Sequence, residues 1–340
     1  MTAEVLSTET PALFDQAVAR AAELLRAGQL VALPTETVYG LAANAWDPAA
    51  VRRIYQAKGR PAENPIIVHV ASLELARRCV AVWPAAAERL AAAFWPGPLT
   101  LVLPRAKIIP PLVTAGGATV GVRWPAHPFI QAVIWACGFP LAAPSANRAN
   151  ELSPTTAGHV RKSLGGRISL IVDGGPARVG LESSVLDLAS SPPRLLRPGM
   201  ISAASLRAVL GEEGLATAAG PEAVLRSPGL LPRHYSPRAK LALLHWRDEA
   251  DLAARISGFG VEREKIHLVT HSGKPLREHF GRVALIPPDP AAWARVLYAE
   301  LHRCDEAGAE LIVVEAPPAG EAWRAIADRL ERAAHVIRRP

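Results

Sequence analysis

Two segments near the N-terminus carry polar side chains that suit the binding of an anionic substrate. The segment Pro34-Thr35-Glu36-Thr37-Val38-Tyr39-Gly40-Leu41 follows an apolar run, Leu30 to Leu33, that is predicted to be a buried strand. Ligands of open α/β sheets lie beyond the carboxyl ends of strands, so these polar groups are placed to reach a substrate. The predicted helix Asp47–Ala57 leads into Lys58-Gly59-Arg60, whose two cations suit phosphate oxygens. A purely structural role is open for both segments, because threonines close turns and cations complement a helix C-terminus.

Five further polar clusters stand beside predicted strand ends or glycine turns. They are Asn64-Pro65 with His69, Thr119 to Pro125 with Arg123, Pro144-Ser145-Ala146-Asn147 with the later Ser153, Asp173 to Ser184 with Ser183, and Leu196-Arg197-Pro198-Gly199. The clusters supply hydroxyl, amide and guanidinium groups but no Ser–His–Asp or Cys–His set. That inventory suits positioning and charge stabilisation at phosphate more than covalent catalysis.

The elements that position these clusters alternate along residues 1–210, which predicts a mixed α/β domain. The predicted helices are Ala12–Ala27, Asp47–Ala57, Ala85–Phe94, Phe129–Cys137, Thr155–Leu164 and Ser202–Leu210. The predicted strands are Leu30–Leu33, Pro65–Val70, Thr100–Leu103, Val120–Arg123, Leu141–Ala143, Ser169–Val172, Ser184–Leu188 and Arg194–Leu196.

Residues 211–238 are rich in proline and glycine and are predicted to be a semi-rigid linker. Residues 239–340 predict a small Rossmann-like α/β domain. Its predicted strands are Lys240–His245, Lys265–Thr270, Arg282–Ile286 and Leu311–Glu315, and its predicted helices are Glu249–Gly258, Pro290–Ala307 and Trp323–Ala333.

Composition restricts the class of protein. The 340 residues are half hydrophobic and 20% charged, which is typical of globular domains, and the net charge of +7 favours anionic partners. Three isolated cysteines argue against a zinc ribbon or a disulfide framework and suit a reducing, cytoplasmic compartment. The uncharged stretch Trp124–Asn147 is interrupted by prolines and a glycine, so it predicts a buried helix followed by a buried strand, with no membrane span.

Seven ordered sequence strings resemble the YrdC-type threonylcarbamoyl-AMP synthase family. They are PTETVYGLAANA, KGRPAENPIIVHV, WPGPLTLVL, VGVRWPAHP, APSAN, DGG with GLESSVLDL, and LLRPG. The string SPGLLPRHYSP and the α/β unit after it resemble the long, two-domain form. Two positions depart from the family pattern: the second serine of LESSV replaces a threonine, and LLPR leads into the His-Tyr pair.

The resemblance implies a twisted mixed-sheet catalytic domain and a synthase activity. Such an enzyme joins L-threonine, bicarbonate or CO2, and ATP into threonylcarbamoyl-AMP with release of pyrophosphate. Mg²⁺ is expected with ATP, and no permanently bound metal. The expected partners include a downstream tRNA-threonylcarbamoyl transferase, which completes N6-threonylcarbamoyladenosine next to the anticodon, and a weak contact with tRNA.

The resemblance also implies residue roles. The implied threonine pocket comprises Thr35, His69, Arg123, Ala143 and Ser183. The implied ATP contacts are Lys58, Arg60, Asn64, Thr119, Ser145, Asn147, Ser153, Arg197 and Tyr235, with Lys58 and Arg60 expected to stabilise the transition-state charge. The linker around Tyr235 is expected to cover the active site, although a passive spacer is the alternative.

Two other functions remain open from the sequence. An RNA-binding module without catalysis would use the basic surface, but it has little need for an Arg–Ser–Thr pocket. A carbamoyl-transfer enzyme of hydrogenase maturation contains a similar domain, but that family adds cysteine-rich zinc fingers that three isolated cysteines exclude.

Overall fold

A computed structural model describes residues 2–61, 63–211, 214–216, 236–273 and 279–338. The described chain divides into two compact units. The first holds residues 2–149 and 153–216 within those limits, and the second holds residues 150–152 and 236 onward. No helix of the described chain has the length and apolar character needed to cross a membrane.

The first unit is a mixed α/β structure, as predicted. Its helices are α1 (Pro11–Arg26), α2 (Pro48–Lys58), α3 (Leu73–Cys79), α4 (Ala85–Phe94), α5 (Pro128–Cys137), α6 (Ala157–Leu164) and α7 (Ala203–Leu210). Its strands are β1 (Glu4–Ser7), β2 (Val31–Leu33), β3 (Gly40–Asn44), β4 (Val68–His69), β5 (Leu99–Pro104), β6 (Thr119–Arg123), β7 (Leu141–Ala142), β8 (Leu170–Asp173), β9 (Ser184–Asp187) and β10 (Arg194–Arg197). They form one sheet in the order β1-β8-β2-β3-β7-β4-β6-β5-β9-β10.

The two faces of this sheet are covered differently. One face packs on α2, α4, α6 and α7 through the largest apolar core, which includes Ile54, Leu90 and Leu206. The other face packs on α1 and α5 across β8, β2, β3 and β7, where Phe129 lies among the buried residues. In the described chain, the second core contains no residue of β4, β6, β5, β9 or β10. On these strands that face carries a small apolar cluster, Val102, Val185 and Leu196, beside polar side chains.

Alternation along these remaining strands separates core residues from polar ones. On β6, Val120 and Val122 belong to the large core, so Thr119, Gly121 and Arg123 point to the opposite face. On β5, Leu101 belongs to that core and Thr100 points away from it. We call the face that carries Arg123 and Thr100 the polar face.

The second unit contains one all-parallel sheet, which fits the predicted Rossmann-like domain. Its strands are β11 (Lys240–Leu244), β12 (Ile266–Thr270), β13 (Arg282–Leu285), β14 (Leu311–Glu315) and β15 (Val336–Arg338), in the order β13-β12-β14-β11-β15. Its helices are α8 (Glu249–Ile256), α9 (Pro290–Glu306) and α10 (Arg324–Ala333).

Several element predictions were wrong in detail. The predicted strand Pro65–Val70 shrinks to Val68–His69, because only those two residues pair with β6 and β7. Strands β1, β3 and β15 and helix α3 were not predicted. Strand β3 reads Gly-Leu-Ala-Ala-Asn, a composition with weak strand preference that is stabilised by pairing with β2 and β7.

The backbone packs closely around Gly199, which lies just after β10. A Cβ at Gly199 would lie 2.3 Å from Ser184 N and 2.8 Å from Ser183 C, which are backbone atoms beside the polar face. We expect Gly199→Ala to lower the free energy of unfolding by about 1–3 kcal/mol, as overpacking does. Urea titration measures the change. Gly166→Ala is the matched control, because a Cβ there meets nothing within 4 Å, and equal destabilisation by both variants would contradict this packing.

Candidate functional site

Arg123, at the end of β6, is the centre of the polar face. Its side chain is buried, and three protein groups hold it. Nε donates to the Gly97 carbonyl at 3.3 Å, Nη1 donates to Thr37 Oγ1 at 2.9 Å, and Nη2 lies 2.6 Å from Glu36 Oε1. The Nη2–Glu36 contact is an ion pair whose N–H is not aligned as a hydrogen bond. Because a guanidinium has five N–H donors, these contacts leave donors for a ligand.

The segment after β2 supplies the groups around Arg123. Thr35 Oγ1 donates to the Val38 carbonyl at 2.7 Å and lies 2.9 Å from Thr37 Oγ1, so both hydroxyls and Arg123 form one network. Burial by itself raises the pKa of the Glu36 carboxyl, but the Arg123 guanidinium together with the backbone amides of Ala126 and Glu36 outweighs burial and holds the pKa below its usual range. Glu36 is therefore ionised at neutral pH.

Strand register places His69 beside Arg123. The two residues are partners in the parallel pairing of β4 with β6. His69 is buried, and its Nδ1 has no hydrogen-bond partner in the described chain. Burial, reinforced by the positive charge of Arg123, lowers the pKa of His69 to about 3. The imidazole is therefore neutral at physiological pH, with one buried nitrogen available to a ligand.

The polar face continues from Arg123 across the next three strands. Thr100 Oγ1 lies 2.8 Å from Ser183 Oγ, and Arg197 donates to Ser183 through Nη2 at 3.2 Å and to its carbonyl through Nε at 3.1 Å. The β9–β10 register shifts between Leu195 and Arg197, and such an irregularity re-aims the side chains beyond it. Neighbouring strands lie about 4.8 Å apart, so the row from β4 to β10 spans about 20 Å.

A second group of predicted residues gathers around Lys58, at the end of α2. Its buried ammonium donates to the Ser145 carbonyl at 2.6 Å and to the Asn147 carbonyl. Lys58 therefore holds the Ser145–Asn147 loop through its backbone. Gly59 ends the helix in the left-handed conformation, with φ +61°. The alternative role considered for this segment, in which Gly59 is the C-cap of the helix, is therefore correct for Gly59.

Backbone pairing joins this loop to the segment after β2. Leu41 N donates to the Pro144 carbonyl at 2.7 Å, and Ala146 N donates to the Tyr39 carbonyl at 2.8 Å. Ala143 N donates to the Ile67 carbonyl at 3.1 Å, which places Ala143 against β4. A side chain at Gly40 would bring a Cβ within 3.3 Å of Ala143 Cβ, so glycine allows the two segments to approach.

Four other predicted residues lie at the margins of these two groups. Arg60 donates to the carbonyls of Asn64 and Pro65 at 3.0 and 2.7 Å. Asn64 is buried, and its Oδ1 has no hydrogen-bond partner in the described chain. Thr119 is half-buried at the start of β6, and Ser153 is buried and donates to Glu182 Oε1 at 2.5 Å. Tyr235 lies outside the described residues.

Sequence reasoning missed three members of the polar face. Glu36 and Thr37 were assigned no contact with Arg123, and Thr100 was assigned no role. A carboxylate between two threonines was a sign that Glu36 has a polar partner. The sequence could not show that the partner of this segment is Arg123, because the two are far apart along the chain: Thr37 and Arg123 are separated by 86 positions. Thr100 stood out only as a hydroxyl inside an apolar strand.

His69 makes stability depend on pH in a defined direction. Its pKa is lower in the folded chain than the usual 6.5, so the unfolded chain takes up a proton first and stability falls as pH drops from 6.5 towards 3. Between pH 7 and pH 5, protonation of His69 in the unfolded chain lowers the free energy of unfolding by about 2 kcal/mol. We expect His69→Asn to lose that much less stability than the wild type over this interval, as measured by urea unfolding at both pH values. Parallel losses would show that His69 is not buried as a neutral group.

Comparison with known proteins identifies the family. A family model described as "Telomere recombination", for Sua5, YciO and YrdC proteins, matches residues 23–199, and one described as "Threonylcarbamoyl-AMP synthase, C-terminal domain" matches residues 201–335. Threonylcarbamoyl-AMP synthases of Pyrococcus abyssi and Bacillus subtilis are 40% and 41% identical to the chain. The alignment with the P. abyssi protein covers 92% of this chain and 92% of that protein. The alignment with the B. subtilis protein covers 94% of this chain and 93% of that protein.

A solved structure matches at the level of the fold. The crystal structure of P. abyssi Sua5 complexed with L-threonine superposes with a TM-score of 0.89 at 37% identity, and the match covers 99% of each chain. Sequence and fold agree over both units. The chain belongs to the threonylcarbamoyl-AMP synthase family, in its long form with a second α/β domain.

Proposed function

We propose that this protein synthesises L-threonylcarbamoyl-AMP from L-threonine, bicarbonate or CO2, and ATP, releasing pyrophosphate. The observation that carries the proposal is the buried Arg123 network beside Thr35, His69 and Ser183, in a fold shared with a threonine-bound relative. The product would supply a transferase that forms N6-threonylcarbamoyladenosine in tRNA. The net charge of +7 suits a weak contact with that tRNA.

Threonine would bind at the Arg123 end of the polar face. The remaining guanidinium donors suit the substrate carboxylate, and a charge-assisted pair in a desolvated pocket is strong. His69 Nδ1 and the Thr35 and Ser183 hydroxyls suit the polar groups of the same substrate. Ala143, whose side chain is a single methyl group, would lie beside the methyl group of the substrate.

ATP would extend from Arg197 towards the Lys58 group. Arg60, Asn64, Thr119, Ser145, Asn147, Ser153 and Arg197 supply cations, amides and hydroxyls for it. Lys58 would act mainly by fixing the Ser145–Asn147 loop, since its ammonium already contacts two backbone carbonyls. Arg60 also donates to two carbonyls, but a guanidinium has five N–H donors against three for an ammonium, so Arg60 would supply more of the charge that meets the triphosphate.

Mg²⁺ is expected to arrive with ATP. Of the buried carboxylates beside the polar face, Glu36 is paired with Arg123, Glu182 accepts from Ser153, and Asp187 is paired with Arg194. This donor set fits an ion held chiefly by phosphate oxygens and water, as Mg²⁺ commonly is. When bound, the ion would neutralise phosphate charge and assist departure of pyrophosphate.

The reaction needs no enzyme nucleophile. The neutral threonine amine adds to CO2, and the resulting carbamate oxygen attacks the α-phosphorus of ATP while the bond to pyrophosphate breaks. The residues named above bind, orient and neutralise charge, which accounts for their chemical types.

Pyrophosphate release by the purified protein tests this function. With ATP and Mg²⁺ present, we expect release only when L-threonine and bicarbonate are added together, and an adenylate product that contains both. Arg123→Lys keeps the charge but loses the planar fork, and we expect it to raise the KM for threonine about 100-fold. Pyrophosphate release that ignores threonine would contradict the assignment of the substrate, and none under any condition would favour a binding module.

The proposed linker over the active site has its own test. Tyr235 lies outside the described residues, and its expected role is to help exclude water from the labile product. We expect Tyr235→Ala to release more free AMP per threonylcarbamoyl product, measured by separating the two nucleotides. An unchanged ratio would favour a passive spacer.

A further inference from the structure

We infer that Glu36 recognises the amino group of the substrate and so selects α-amino acids, an inference that rests on the proposed function. Glu36 is a buried carboxylate beside the polar face, and it directly follows Thr35 of the proposed threonine pocket. From the sequence it was one of several polar groups placed to reach a substrate, and it had no specific role. Three observations support the assignment.

The first observation is the hydrogen bonding of the carboxylate. Glu36 Oε1 and Oε2 are buried without a hydrogen bond of normal geometry in the described chain, although Arg123 and the backbone amides of Ala126 and Glu36 lie close enough to stabilise the carboxylate charge. Buried carboxylate oxygens normally accept hydrogen bonds, because leaving them without a donor is costly. An ammonium group brings three N–H donors and would satisfy both oxygens.

The second observation is the distance between the two charged groups. Glu36 Oε1 lies 2.6 Å from Arg123 Nη2, the group proposed for the substrate carboxylate. An α-amino acid carries both of its charges on one Cα, through bonds of about 1.5 Å each. A substrate whose carboxylate meets Arg123 therefore holds its ammonium within reach of Glu36.

The third observation is charge balance. Arg123 and Glu36 neutralise each other, and His69 is neutral because its pKa is lowered to about 3. A zwitterion brings no net charge into this buried pair. A substrate with a carboxylate but no ammonium would place a second negative charge beside Glu36, and the pocket would resist it.

Selectivity between two ligands tests the inference. L-Threonine is compared with the matching 2,3-dihydroxybutanoate, which carries a hydroxyl in place of the amino group, by calorimetric titration. In the wild type we expect threonine to bind more tightly. In Glu36→Gln we expect that preference to fall at least about tenfold, because the charge-assisted hydrogen bonds to the ammonium are lost.

Glu182→Gln is the matched control. Glu182 is equally buried, at 7% exposure like Glu36, but accepts from Ser153 on the proposed ATP side. We expect it to keep the threonine preference of the wild type. If Glu36→Gln does not fold, Glu36→Asp serves instead, because it keeps the charge but withdraws the carboxylate by one methylene group. We expect Glu36→Asp to lose less of the preference for threonine than Glu36→Gln would.

The alternative role of Glu36 gives a different result. In Glu36→Asp, which keeps the charge, a residue that only positions Arg123 would leave the preference for threonine as it is in the wild type, and that outcome would overturn the inference. Unchanged binding of both ligands would overturn it as well. Failure of the wild type to bind threonine would instead overturn the proposed function, and the inference with it.

Discussion

The buried ion pair between Arg123 and Glu36 is the interaction on which the site depends. Removing one member of such a pair leaves an uncompensated charge and typically costs 3–5 kcal/mol. The fold therefore has to bring the end of β6 and the segment after β2 together, and both are anchored. Thr37 and the Gly97 carbonyl fix the guanidinium, and the pairing of Leu41 with Pro144 fixes the segment.

This ion pair is possible because the ten-stranded sheet is covered unevenly. Residues of α1 and α5 cover one half of a face with apolar side chains, which include Phe129 and Ile130. On the other half, alternation turns His69, Arg123 and Thr100 away from the large core, while Val122 and Leu101 point into it. One sheet therefore combines a conventional core with a polar row, and the strand register sets the spacing between neighbours in that row.

The sequence predicted the parts of the site that lie at strand ends. Arg123, His69 and Ser183 each end or precede an apolar run, and local pattern is enough to find such positions. The Glu36–Arg123 pair, the Thr100–Ser183 contact and the register shift before Arg197 were not predicted, because each depends on which strands become neighbours. The weak strand Gly40–Asn44 was missed for the same reason: its stability comes from pairing on both sides rather than from its residues.

The protonation states within the pocket also constrain the proposed chemistry. The threonine ammonium must lose a proton before its nitrogen can add to CO2. The pKa of Glu36 is held below its usual range and that of His69 is about 3, so neither group retains that proton near neutral pH. The overall step converts an ammonium and a bicarbonate into a carbamate, a water molecule and one proton, and bicarbonate can take up the ammonium proton as it dehydrates. The one proton released when the amine adds to CO2 then passes to solvent. The polar face contributes binding and orientation to this step, and no side chain acts as the base.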